Sequence, residues 1–179
     1  FVMDDGWFGD KYPRKNDSSS LGDWVVDKNK LPNGIEGLLS DAKKHGVKFG
    51  IWIEPEMANT TSELYEKHPD WVLKASERDV VLGRGGTQVV LDLANPAVQD
   101  FVFGVVDNLM TSYPEIDYIK WDANMSVQNH GSQYLTKDNQ SHMYIEFHRG
   151  FEKICQRIRA KYPDLTIQAC ASGGGRANY

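Results

Sequence analysis

Tyr118-Ile-Lys-Trp-Asp-Ala-Asn124 decides how this chain of 179 residues is read. A strand points successive side chains to opposite faces. Tyr118, Lys120, Asp122 and Asn124 therefore share one face, and Ile119 and Trp121 the other. The Ile119–Trp121 face is apolar enough to pack beneath helices. The other face carries a cation, a carboxylate and an amide, a set that a core face holds only when it is paired or working. A lysine beside Asp122 predicts an ionised carboxylate at neutral pH, because an opposite charge favours the charged form. An ionised, positioned carboxylate at a strand end meets the requirement of a glycosidase nucleophile. The plainer alternative is an ordinary ion pair between Lys120 and Asp122.

The flanking sequence alternates strand and helix. Pro96–Ser112 reads as a long helix, with Val98, Phe101, Val102, Val105, Val106, Leu109 and Met110 on one face. Gln140–Tyr162 reads as another, with Ile145, Phe147, Phe151, Ile154 and Ile158 as its buried side. Asn33–His45 is a third, stopped by Gly46. Phe1–Met3, Val47–Ile53 and Thr166–Ala169 read as strands, and Thr61–His68 as a short helix. Asp70–Leu73 and Val89–Leu93 read as short strands around the Gly83-Arg84-Gly85-Gly86 turn. Asp10–Leu31 is a polar loop of a length that is usually functional or mobile.

Strands alternating with helices pair in parallel through right-handed crossovers. Each strand end then carries polar residues: Asp4 and Asp5, Glu54 and Glu56, Asp122 and Asn124, and Cys170 with the glycines after it. Four loaded ends in succession favour an α/β chain of the (β/α)8 TIM-barrel type over a doubly wound sheet, where ligands gather at one switch point. A complete barrel takes about 250 residues. Residues 1–179 therefore read as one partial barrel domain, truncated at both ends. Such a piece leaves two strand edges and, on this reading, an apolar inner face open.

A formal net charge of −5 argues against nucleic acid as a partner and offers nothing to an anionic membrane surface. No apolar run approaches the ~20 residues that span a bilayer. Phe1-Val-Met-Asp-Asp shows no targeting pattern, and the cytoplasm is the favoured compartment. Two cysteines make no disulfide framework, and Cys155 reads as buried filler. His45, His68, His130, His142 and His148 lack zinc-site spacing, so neither metal nor cofactor is expected. Gly173–Gly175 with Arg176 lacks the Gly-Lys-Ser/Thr ending of a phosphate loop. Asp4-Asp5-Gly6 alone would be read as a turn. Glu54 and Glu56 read either as paired acids or, the favoured reading, as braces at the sheet's mouth. Trp7 and Trp24 read equally as core or as walls of a sugar site.

Phe1-Val-Met-Asp-Asp-Gly-Trp-Phe-Gly, Gly50-Ile-Trp-Ile-Glu-Pro-Glu-Met, Tyr118-Ile-Lys-Trp-Asp-Ala-Asn and Cys170-Ala-Ser-Gly-Gly-Gly-Arg occur in this order along the chain. Leu21-Gly-Asp-Trp and Gly83-Arg-Gly-Gly-Thr-Gln accompany them. Together they resemble glycoside hydrolase family 36, the α-galactosidases of the melibiase clan. The resemblance implies that the four main strands are the second to fifth of the catalytic barrel. It implies that Asp122 is the nucleophile and that Lys120 and Asn124 contact sugar hydroxyls beside it. Asp4 and Asp5 would hold the hydroxyls around O4 and O6 of galactose, Trp52 and Arg84 would line the same pocket, and Cys170 and Gly173 would form a wall near O2. The family's acid/base Asp follows the sixth strand, and no residue here matches it. The implied partner is an α-galactoside oligosaccharide of melibiose or raffinose type, with a homo-oligomer expected for the full-length protein. A galactosyl transferase of raffinose- or stachyose-synthase type, and an inactive sugar-binding half barrel, are the alternatives.

Overall fold

The computed structural model describes residues 1–128 and 131–175. Four strands form a parallel sheet in the order β1 (Val2–Met3), β2 (Phe49–Ile53), β5 (Ile116–Trp121) and β6 (Thr166–Ala169). The crossovers carry α1 (Gly34–Lys44), α3 (Pro96–Ser112) and α4 (Met143–Lys161). A small excursion leaves the sheet between β2 and α3. In it β3 (Met57–Asn59) pairs antiparallel with β4 (Gln88–Val90), with the short helix α2 (Glu63–Lys67) between them.

Strand register sorts the side chains into two layers. Ile51 lies opposite Ile119 and Ile53 opposite Trp121, and all four are buried. They join Val98, Val102 and Val106 of α3 and Ile154 and Ile158 of α4 in one core. Trp121 meets Phe151 of α4 edge-on, with ring centroids 5.9 Å apart. The inner layer places Gly50 beside Tyr118 and Thr166, and Trp52 beside Lys120 and Gln168. This face is polar, contrary to the apolar inner face expected. The Tyr118 hydroxyl donates to Gln168 Oε1 at 2.7 Å, so neighbouring strands satisfy each other's polar groups.

The sequence-based boundaries hold for β1, α1, β2, α2, α3 and β6 to within two residues. Four readings are corrected. Pro69–Trp71 forms a 3-10 turn rather than a strand, as proline's fixed φ allows, and Val72 alone makes a bridge to Leu91. Residues 137–142 form a separate 3-10 turn, so α4 begins three residues later than read. Ile145 is 52% exposed, because the stripe of α4 runs through Met143, Phe147, Gly150, Ile154 and Ile158. Cys155 is exposed rather than buried, lying roughly a quarter-turn off that stripe.

The long loop over residues 10–31 is pinned to its surroundings. Phe8 bridges to Val26, and Asp23 accepts the Glu63 and Leu64 N–H groups at 2.9 and 3.0 Å, capping the start of α2. An acceptor at a helix N-terminus satisfies donors that the helix itself cannot. That contact ties the loop to the excursion.

Candidate active site

The parallel register brings the strand ends together. Asp4 follows β1, Trp52 lies near the end of β2, Lys120 and Asp122 stand at the end of β5, and Cys170 follows β6. Lys120 Nζ donates to Asp4 Oδ2 at 2.7 Å. The lysine therefore pairs with Asp4 and not with Asp122 as first read. Burial pushes the Asp4 carboxyl up, but the hydrogen bonds from Lys120 and from the Asp5 N–H outweigh it and hold it below its ordinary value. The pair spans 116 residues of sequence and cannot be read from β5 alone.

Asp122 is 7% exposed. Trp52 Nε1 donates to its Oδ2 at 3.1 Å, and the Ala123 N–H to its Oδ1 at 3.0 Å. Asn124 and Cys170 side chains also bond it. Burial would raise the pKa, yet the donors of Asn124, Trp52, Cys170 and Ala123 together lower it. The carboxylate is ionised at neutral pH, as expected, but hydrogen bonding rather than a lysine partner is the main cause. A charged carboxylate in a dry, donor-lined setting is suited to nucleophilic attack.

Glu54 and Glu56 act as braces. Glu54 accepts the Asn124 N–H and takes Gln88 Nε2 at 3.1 Å, linking the loop after β5 to β4. Glu56 accepts Trp121 Nε1 at 2.7 Å. Both are buried. Trp7 is core: its ring is fully buried and its Nε1 donates to the Trp52 carbonyl at 2.9 Å. Trp24 is partly buried in the same aromatic cluster, with its centroid 6.2 Å from that of Trp52. Trp52 is itself buried and shows Asp122 its N–H edge.

The remaining candidates stand around this centre. The Asn124 side chain accepts Ser172 Oγ at 2.9 Å, which fastens the β6 loop to the β5 loop. Gly173 lies in that loop at φ +100°, a conformation that favours glycine, with open space where a Cβ would be. Arg84 pairs with Asp17, and its charge reaches Glu54. Asp5 is gripped by Arg14 through two parallel bonds, Nε to Oδ1 at 3.0 Å and Nη2 to Oδ2 at 2.7 Å. Sequence reading missed Arg14, Asp17 and Asn59, which sit in a loop and at the end of a three-residue strand. A lone arginine in a polar loop gives no signal of burial. Arg176 and His130 lie outside the described residues.

The Melibiase family matches the chain over residues 1–179. The chain belongs to the Melibiase family. Among its Melibiase relatives, the probable α-galactosidase C of Aspergillus flavus is 42% identical, over 98% of this chain and 23% of the relative. The α-galactosidase AgaA of Geobacillus stearothermophilus is 40% identical, over 98% of this chain and 23% of the relative. The chain thus spans about a quarter of the length of the curated relatives it matches. The crystal structure of an α-galactosidase from Lactobacillus brevis superimposes with a TM-score of 0.91 at 42% identity, covering 98% of this chain and 23% of that one. A family 36 AgaA structure in complex with stachyose gives 0.90 at 39% identity, covering 98% and 24%. Family and likeness together imply a TIM-barrel-type fold for this segment.

Proposed function

We propose that this segment is part of the catalytic barrel of a retaining α-galactosidase, its four parallel strands being the second to fifth of eight. The observation that carries the reading is Asp122, buried at a parallel strand end with its charged form held by four sets of donors. The α-galactosidase names of the relatives support the substrate class, as do the stachyose and raffinose complexes of AgaA.

Asp122 attacks the anomeric carbon of a terminal α-D-galactoside. The glycosidic C–O bond breaks, and the leaving oxygen takes a proton from a second carboxyl group about 5–5.5 Å away. That acid/base is supplied by a part of the protein outside this chain. Acting then as a base, it takes a proton from water, which displaces Asp122 and restores the enzyme. Trp52 and the Ala123 N–H keep Asp122 aligned and charged before attack. Lys120, Asp4 and Asp5 offer a cation and two carboxylates to the sugar's hydroxyls. Asn124 and Cys170 brace the nucleophile from the β6 side, where Gly173 lets backbone approach the ligand. Arg84 stands at the outer edge.

The test uses the full-length protein on an aryl α-galactoside and on raffinose. Asp122→Ala is expected to lower kcat at least ~10⁴-fold, as loss of an essential nucleophile does. Near-parental hydrolysis by that variant would remove the nucleophile assignment. Free galactose is the expected product, whereas longer oligosaccharides in place of galactose would identify a transferase.

A further inference from the structure

Arg14 is 5% exposed although it lies in a polar loop. Besides its two bonds to Asp5, its Nη1 donates to the Ser19 carbonyl and to Asn59 Oδ1, each at 2.9 Å. Asn59 is fully buried and hands its own amide hydrogens to the carbonyls of Asp17 and Thr87. Lys30 Nζ joins the Arg14 carbonyl to the Gly6 carbonyl, pinning the loop to the turn that carries Asp5. The Phe8 ring lies 5.5 Å beneath the guanidinium. Asp17 Oδ1 stands 3.6 Å from Nη2, and its other oxygen pairs with Arg84.

Taking a guanidinium out of water is costly, and a well-packed apolar residue serves stability as well or better. Here the fork points outward, to a carboxylate that is 30% exposed at the end of β1. A carboxylate has about four acceptor positions on its two oxygens. The planar fork of Arg14 occupies one on each oxygen and fixes the plane of the group. That leaves one acceptor on each oxygen of a partly exposed carboxylate.

We propose that Arg14 is a positioning residue for substrate: it locks Asp5 so that both carboxylate oxygens accept hydroxyls of the sugar, and through Asp17 it sets Arg84 in the same frame. The proposal rests on the α-galactosidase reading, in which Asp5 meets the O4 and O6 edge of galactose.

Arg14→Lys in the full-length protein keeps the charge but loses the fork. The substrates are an aryl α-galactoside and its 6-deoxy analogue, which lacks one of the two hydroxyls. On the galactoside, kcat/KM is expected to fall about 10- to 100-fold, mainly through KM, the scale of one or two charge-assisted hydrogen bonds. On the 6-deoxy sugar the fall should be several-fold smaller, and Asp5→Asn should show the same contrast. Arg14→Gln, with a neutral amide and no guanidinium fork, gives the same reading should the lysine variant fail to fold. Equal losses on both sugars by an active parent would make Arg14 a general structural residue and overturn the proposal alone. A parent inactive on both sugars would overturn the α-galactosidase reading, and the role of Arg14 with it.

Discussion

Glu54 is 2% exposed, and its carboxyl is pushed up to about 7. Burial is the main cause, and the nearby Asp122 charge adds to it. The Asn124 N–H, Gln88 and Arg84 pull the other way without cancelling them. The sign of the linkage follows. The folded state holds the Glu54 proton more tightly than the unfolded chain, whose value is 4.5. The contribution of Glu54 is therefore most favourable below about 4.5 and is lost as pH rises through about 7. A shift of this size corresponds to roughly 3 kcal/mol. Glu54→Gln resembles the protonated acid, so its melting temperature relative to the parent should rise by several degrees between pH 5 and pH 8. Thermal unfolding of the full-length protein at the two values checks this, and an unchanged difference would mean that Glu54 does not titrate in that window. Asp122 itself was legible from the alternation of β5. Its hydrogen-bond partners and the Lys120–Asp4 pair were not, because they depend on which strands become neighbours. Nothing local in Ile53-Glu-Pro-Glu announces that Glu54 meets the Asn124 N–H, 70 residues away.

At the level of elements, the contact between α3 and α4 is set by the absence of a side chain. A Cβ built on Gly150 of α4 would lie 1.9 Å from the Leu93 carbonyl oxygen, just before α3. Alanine is a better helix former than glycine by about 1 kcal/mol. At Gly150 that gain is outweighed, because backbone must move to admit the methyl, and overpacking of this kind costs about 1–3 kcal/mol. Gly150→Ala should lower the melting temperature. Gly104 of α3 has nothing within 4 Å of such a Cβ, so Gly104→Ala should raise it, with a gain in stability of up to about 1 kcal/mol. Calorimetry on the two variants separates these effects, and a stabilised Gly150→Ala would refute the close docking. α3 was readable because seven apolar positions repeat with helical period along its 17 residues. β3 escaped notice: three residues beyond Pro55 carry no period, and its pairing with β4 closes over a 28-residue loop. The 3-10 turn at Pro69 was misread for the same reason, since short apolar runs fit either backbone.

For the whole molecule, the alternation of strand and helix foretold the parallel order, and the Tyr118–Lys120 face of β5 was read as polar, but the polarity of the inner face as a whole follows from Thr166 and Gln168 falling in register with them. That correction changes where self-association should begin. The sheet order leaves β1 and β6 as edges, each with a row of backbone donors and acceptors facing outward. Trp121, Phe151, Cys155, Ile167 and Ala169 line a recess of about 420 Å³ beside β6 on the helix side. Exposed edges template pairing with another chain, and an apolar recess alongside adds a driving force. The 179-residue chain expressed by itself is therefore expected to dimerise or aggregate at micromolar concentration, with β6 as the seam. Ala169 is exposed on that edge, and a lysine there puts a charge that must stay solvated where another strand would have to pair. Ala169→Lys should move the chain toward monomer in sedimentation velocity without changing its circular dichroism. A parental chain that is already a monodisperse, cooperatively folding monomer would count against the argument. Association that persists unchanged in the lysine variant would move the seam from β6 to β1, where Phe1 and Val2 are exposed.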